Sequence, residues 1–123
     1  MIAHGIAPGL GWVLAACTAA IGLLAMIAPR KLAELYGLPI GARGFPFVRA
    51  TGLRDIVVAG ILAAAAMRRD RPELIVIAIL GVVLALGDAV IVALEMRRFS
   101  QPMLAHLTGA LAFVVLLEST LWP

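Results

Sequence analysis

Residues 74–96 have the sequence LIVIAILGVVLALGDAVIVALEM, in which Asp88 and Glu95 are the only charged side chains. A helix that crosses the hydrocarbon core of a bilayer needs about 20 mainly apolar residues. The polar hairpin of residues 68–73 precedes this stretch and Arg97 and Arg98 follow it, as suits helix ends at the lipid headgroups. The stretch therefore predicts a membrane-spanning helix.

The whole chain has the composition of a membrane protein. Of its 123 residues, 63% are hydrophobic and 14% are charged, against about 45–50% and about 25% in soluble domains. The mean hydropathy is +1.09. These values exclude a soluble enzyme, a nucleic-acid-binding module and a disordered chain. The net charge of +3 comes mainly from Lys and Arg in short loops, so we expect the lipid bilayer, and no nucleic acid, as the partner of these groups.

Three further stretches are apolar enough to cross a bilayer. Pro8 marks the expected start of the first, because proline is tolerated near the beginning of a helix. Short connections make neighbouring spans antiparallel. We therefore predict an all-α fold, an integral membrane four-helix bundle in which residues 1–123 form a single transmembrane domain. The predicted spans cover about residues 10–28, 47–67, 74–96 and 103–121.

The connection between the first two spans contains a short amphipathic segment at about residues 30–36. Leu32, Leu35 and Tyr36 share one side of a helix there, at spacing i, i+3, i+4. The segment is too short to span a bilayer. It is therefore predicted to be an interfacial helix in the headgroup layer.

The distribution of Lys and Arg predicts the orientation. Six lie on the side of the first and third loops, and three lie on the side of the middle loop and both termini. Because cytoplasmic loops are enriched in Lys and Arg, we expect a multi-pass protein of the cell membrane with both termini outside. The two groups are Arg30, Lys31, Arg43, Arg49, Arg97 and Arg98, and Arg68, Arg69 and Arg71.

Four polar side chains lie inside the predicted spans. They are Arg54, Asp55, Asp88 and His106. From the rise of a helix, Arg54 lies ~10 Å, Asp88 ~12 Å and His106 ~6 Å from the same membrane surface. Antiparallel packing therefore predicts that the four side chains converge in one half of the bilayer. Intramembrane ionisable groups are costly unless paired, which makes these four the candidate catalytic or binding residues.

The pairing within this group follows from helix geometry. Arg54 and Asp55 project about a quarter-turn apart, so we expect them not to pair with each other. Asp88 is then the expected bidentate acceptor for Arg54, and Asp55 is expected to face His106, Arg49 or backbone groups. One arginine faces two carboxylates, so either His106 is protonated or one aspartate keeps its proton. A purely structural pair that joins helices is the equally weighted alternative.

The sequence contains no motif for a cofactor or a metal. GxGxxG, P-loop, HExxH, CxxC and GxSxG patterns are all absent. The single Cys17 excludes an internal disulfide, and two separated histidines make a poor metal site. We therefore expect no cofactor and no metal.

Several short elements resemble the family known as domain of unknown function 4267, in the broad neighbourhood of DoxX-like membrane proteins. The resemblance covers nearly the whole chain and implies a helical membrane bundle with no established activity. It supplies no catalytic residues, so the candidates above rest on the depth argument alone. The elements that carry it are Pro29-Arg30, Tyr36-Gly37-Leu38-Pro39, Gly52-Leu53-Arg54-Asp55, Gly87-Asp88 and His106-Leu107-Thr108-Gly109-Ala110.

Three functions fit these features. The first is an intramembrane polar pocket that binds or acts on a small lipophilic ligand, with proton transfer by Asp55, Asp88 or His106 and anion stabilisation by Arg54. Whether such a pocket is catalytic is left open. The second is a small transporter or proton-coupled carrier, although the first span lacks an acidic residue. The third is an accessory or assembly subunit that docks on a membrane partner or on a second copy of the chain, as a homo-oligomer.

Overall fold

The computed structural model describes residues 3–96 and 100–122 of the chain, and its regular secondary structure in these ranges is helical. Four of the helices are long and apolar enough to cross a membrane. The predicted fold class, an all-α membrane helical bundle, is therefore confirmed. In chain order the elements are α1 (Ala3–Ile27), α2 (Pro29–Leu35), a 3-10 turn (Ala42–Gly44), α3 (Phe45–Arg68), α4 (Arg71–Met96) and α5 (Gln101–Leu121).

The four long helices form a ring of two tight pairs. Helix α1 packs extensively along α3, and α4 along α5, whereas the contacts between α3 and α4 and between α1 and α5 are sparse. Glycines allow the first pair to pack closely, because a Cβ atom on Gly22 would lie 2.7 Å from the carbonyl oxygen of Gly52. Small residues at helix crossings are the usual means by which membrane helices approach each other. The two pairs therefore meet along looser seams.

The buried core lies at the end of the bundle that carries the turn between α3 and α4. Leu62, Leu74 and Leu116 are fully buried there. Phe113 closes this core towards the middle of the bundle, and its ring lies so close to Gly81 that a Cβ atom on that glycine would overlap it. Large apolar side chains cover the outside of the bundle, as expected for a surface that faces lipid.

The turn between α3 and α4 combines two helix caps. Arg69 adopts a left-handed conformation, with φ 53° and ψ 34°, and its N–H donates to the carbonyl of Ala66. The N–H of Asp70 donates to the carbonyl of Ala65, which completes a Schellman motif. The Asp70 carboxylate then accepts from the N–H of Glu73 at 3.0 Å and caps the start of α4. Hence one short turn both ends α3 and begins α4.

Helices α1 and α4 extend at their amino-terminal ends by three or more residues beyond the predicted spans. Helix α1 begins at Ala3 instead of about residue 10, and Pro8 lies inside it. Proline so near the start removes only the hydrogen bond to a first-turn carbonyl, so the helix continues through it. Helix α4 begins at Arg71 instead of residue 74 because Asp70 supplies the cap. The other predicted ends, and those of the segment at residues 30–36, lie within one helical turn of the observed ends.

Candidate intramembrane site

Arg54, Asp55, Asp88 and His106 meet in one polar cluster. Arg54 Nη2 donates to Asp88 Oδ2 at 2.9 Å, and Arg54 Nε and Nη2 both donate to Asp55 Oδ1 at 3.3 Å. His106 Nδ1 lies 3.9 Å from Asp88 Oδ2, which is beyond hydrogen-bonding distance. The cluster therefore brings together side chains from α3, in the first tight pair, and from both α4 and α5, which form the second. A catalytic role for these residues stays a prediction.

The expected pairing within the cluster is partly wrong. Arg54 and Asp55 do pair, because the arginine side chain is long enough to bend its guanidinium back over the neighbouring carboxylate. The bidentate bond from Arg54 to Asp88 is also not formed, since the guanidinium divides its donors between two carboxylates. Among the described residues, the ion pair of Asp55 is with Arg54, and His106 approaches Asp88 instead. Directions at Cβ are therefore a poor guide for long side chains.

The cluster lines a cavity of about 320 Å³ between the two helix pairs. The polar side chains around this cavity belong to Thr18, Tyr36, Thr51, Arg54, Asp55, Asp88 and His106. All its other lining residues are alanine, glycine, valine, leucine, isoleucine or phenylalanine. The space is thus apolar over most of its wall and charged at one place.

The cavity and the core occupy opposite parts of the bundle. Phe113 belongs to both, because it is part of the buried core and also lines the cavity. On the far side, Leu32 and Tyr36 from the segment after α1 contribute to the wall. The end of the bundle with the α3–α4 turn is therefore filled by the buried core, and the cavity lies towards α2.

Tyr36 is a cavity residue that the sequence did not single out as a site residue. It caps α2 and lines the same space as the four predicted residues. Burial, with a smaller contribution from the negative charge of Asp55, raises the pKa of Tyr36 above its usual value of 10.0. The sequence signal at this position is its place on the apolar side of the amphipathic segment, which by itself predicts contact with the headgroup layer. The structure shows that this side also covers the cavity.

The charges of the cluster define what it can do chemically. One guanidinium faces two carboxylates, while the Tyr36 phenol is neutral in the physiological range. The cluster therefore offers carboxylate oxygens as hydrogen-bond acceptors, and an imidazole, beside an apolar space. Within residues 3–96 and 100–122, no group of three or more His, Cys, Asp and Glu side chains is arranged to hold a metal.

Four membrane-capable helices around a charged cluster define the class of protein, a small helical membrane bundle with polar groups in its interior. The chain belongs to the family described as "Domain of unknown function (DUF4267)", whose sequence pattern matches residues 15–118. The match includes every residue of the polar cluster and Tyr36. No curated protein and no solved structure matches the chain. The predicted relation to DoxX-like proteins stays a prediction.

Proposed function

We propose that the protein binds a small, partly lipophilic ligand in the cavity between its two helix pairs. The observation that carries this proposal is the cavity of about 320 Å³, apolar over most of its wall, with Arg54, Asp55 and Asp88 gathered at one place. Ligand sites typically combine these two features, an apolar volume and a few convergent polar groups that orient the ligand. The ligand would place its apolar part against Phe113 and Leu84 and its polar part at the cluster.

The position of the cluster favours a binding site over a purely structural pair. An ion pair that only joins helices gains most when it is enclosed and all its oxygens are satisfied. Here the charged groups are all part-buried and line an open volume. The same Arg54–Asp88 contact also links the two helix pairs, so it would support the fold in either case.

The alternatives have less support. A transporter would need the cavity to connect to both membrane surfaces in turn, and the buried core around Leu62, Leu74 and Leu116 fills the other half of the bundle. An accessory subunit would need a surface specific for a partner, and the apolar outer faces of the helices serve lipid equally well. We therefore favour ligand binding over both.

Filling the cavity tests the proposal. A Cβ atom on Gly109 would have Ala85 Cβ as its nearest neighbour at 3.9 Å, so Gly109→Leu would extend a side chain into the cavity. Gly60→Leu is the matched control, because a Cβ there meets nothing within 4 Å and Gly60 lies outside the cavity wall.

Native mass spectrometry of the purified protein in detergent measures the result. We expect a co-purifying or added lipophile such as decylamine to bind the wild type and Gly60→Leu and to be lost from Gly109→Leu. Equal binding by all three proteins, or by none, would contradict a ligand site in this cavity.

We further propose that the protein is a multi-pass protein of the cell membrane with both termini outside, supported by the excess of Lys and Arg on the side of the first and third loops. Alkaline phosphatase and fluorescent-protein fusions to the carboxyl terminus test this orientation. We expect an active phosphatase and a dark fluorescent protein in bacterial cells. The reverse pattern would show that the termini face the cytoplasm.

A further inference from the structure

We infer, on the basis of the proposed ligand site, that the polar head of the ligand is a protonated amine held by the carboxylates of Asp55 and Asp88. This deepens the proposed function by assigning a charge and a hydrogen-bonding character to the ligand. It also reverses the role expected for Arg54, which was the stabilisation of an anion.

The first observation is that Arg54 is already occupied. Its Nη2 donates to both Asp88 and Asp55, and its Nε donates to Asp55 as well. An anionic ligand would have to displace one of these carboxylates or become the third negative group around one guanidinium. In a site of low dielectric, like charges at such distances repel strongly. Arg54 is thus a fixed counter-ion of the cluster.

The second observation is that each carboxylate has an oxygen to spare. Arg54 contacts Oδ1 of Asp55 and Oδ2 of Asp88, and no hydrogen bond between described residues engages Asp55 Oδ2 or Asp88 Oδ1. Both aspartates line the cavity. An ammonium group has three N–H donors and no acceptor, so it matches two carboxylate oxygens and can give its third bond to His106.

The third observation is the balance of charge. When both carboxylates are ionised, they and the one guanidinium leave one negative charge, and Tyr36 adds none because its phenol is protonated in the physiological range. One monocation restores neutrality, and hydrogen bonds between charged groups are the stronger kind.

The binding of three amphiphiles of equal chain length tests this inference. Decylamine, decanol and decanoate are titrated separately into the detergent-solubilised wild type and into Gly109→Leu, and the bound mass is measured by native mass spectrometry. We expect decylamine to bind at least about tenfold more tightly than decanol, the size of one charged hydrogen bond, and decanoate to bind least. Binding that Gly109→Leu removes is assigned to the cavity.

A matched pair of variants tests the role of the excess carboxylate. Asp55→Asn removes one negative charge and retains the Arg54–Asp88 contact, and we expect it to abolish most of the preference for decylamine over decanol. Glu95→Gln neutralises an exposed carboxylate at the end of α4, outside the cavity wall, and should leave the preference unchanged.

The outcomes separate the two proposals. If no amphiphile binds in a way that Gly109→Leu removes, the ligand site itself is wrong, and the amine assignment fails with it. If amphiphiles bind in the cavity but decanol or decanoate binds as tightly as decylamine, the site stands and the amine assignment alone is overturned. Retention of the amine preference in Asp55→Asn would likewise overturn it.

Discussion

Arg54 connects the polar cluster because its guanidinium contacts two carboxylates, one on its own helix and one on another helix. Asp55 is its neighbour on α3, so their contact at 3.3 Å adds no link between helices. Asp88 lies on α4, and its 2.9 Å contact with Arg54 crosses the looser seam between the two helix pairs. The same guanidinium therefore makes one local contact and one tertiary contact, and the two should differ in their effect on stability.

Neutralising each aspartate separates these contributions. We expect Asp88→Asn to lower the free energy of unfolding by about 1–3 kcal/mol, the cost of weakening a charged hydrogen bond, and Asp55→Asn to cost less than about 1 kcal/mol. Thermal unfolding of both variants in one detergent measures the difference. Equal losses would show that the Arg54–Asp88 contact contributes no more to stability than the Arg54–Asp55 contact.

Tyr36 is the only tyrosine of the chain, so its ionisation can be followed without ambiguity. Burial and the nearby Asp55 disfavour the phenolate in the folded protein, which raises the pKa. The folded state thus holds the proton more tightly than the unfolded chain. The stability that Tyr36 contributes is fully present below its unfolded pKa of about 10 and is lost as the pH rises through the raised pKa.

Alkaline titration of the near-ultraviolet tyrosinate absorbance should give a midpoint above the usual 10.0. Asp55→Asn should lower that midpoint without restoring the usual value, because burial is the larger cause. The protein in denaturant is the control. A midpoint at the usual value in the folded wild type would place Tyr36 outside the cavity wall.

Hydrogen-bonded caps set the ends of the helices, and the short turn between α3 and α4 contains two of them. Its Schellman motif needs a left-handed residue, and the sequence places Arg69 there. Left-handed backbone is costly for residues with a Cβ atom and free of that cost for glycine. The turn therefore forms because the caps on both sides outweigh a small local strain.

Arg69→Gly should relieve this strain and raise the free energy of unfolding by about 0.5–1 kcal/mol. Arg69→Ala is the control, because alanine removes the same charge and long side chain but keeps the Cβ atom. Thermal unfolding in detergent compares the two variants. A gain of equal size with alanine would attribute the effect to the lost charge.

The whole bundle has a buried core at one end and a cavity at the other. Leu62 is fully buried in the core near the α3–α4 turn, whereas Leu84 lines the cavity. A side chain that borders an empty volume has fewer packing partners to lose, so the cost of its truncation is smaller. This division explains how a small bundle can have a buried core and still contain a cavity.

Leucine-to-alanine substitutions at the two ends test this division. We expect Leu62→Ala to cost about 2–4 kcal/mol and Leu84→Ala to cost about 1 kcal/mol or less. Unfolding measured without added lipophile gives the comparison. A similar cost at both positions would indicate that Leu84 is packed as fully as Leu62 and does not border a cavity.

Much of the architecture could be predicted because it depends on local properties of the chain. Apolar stretches of membrane-spanning length gave the number of helices, and the rise of a helix placed Arg54, Asp88 and His106 at similar depth. Helix starts were less accurate at Pro8 and Arg71, where tolerance of proline and capping by Asp70 extend the helices. Such ends depend on a few hydrogen bonds, which composition does not report.

The all-helical membrane class follows from the sequence alone, because a chain so apolar must satisfy its backbone hydrogen bonds within each segment. The partners of each charged group do not follow from it. Arg54 reaches Asp88 and Tyr36 lines the cavity only because α2, α3 and α4 pack in one particular way. Side-chain reach and the spacing of packed helices are properties of the assembled bundle, so these contacts are visible only once it has formed.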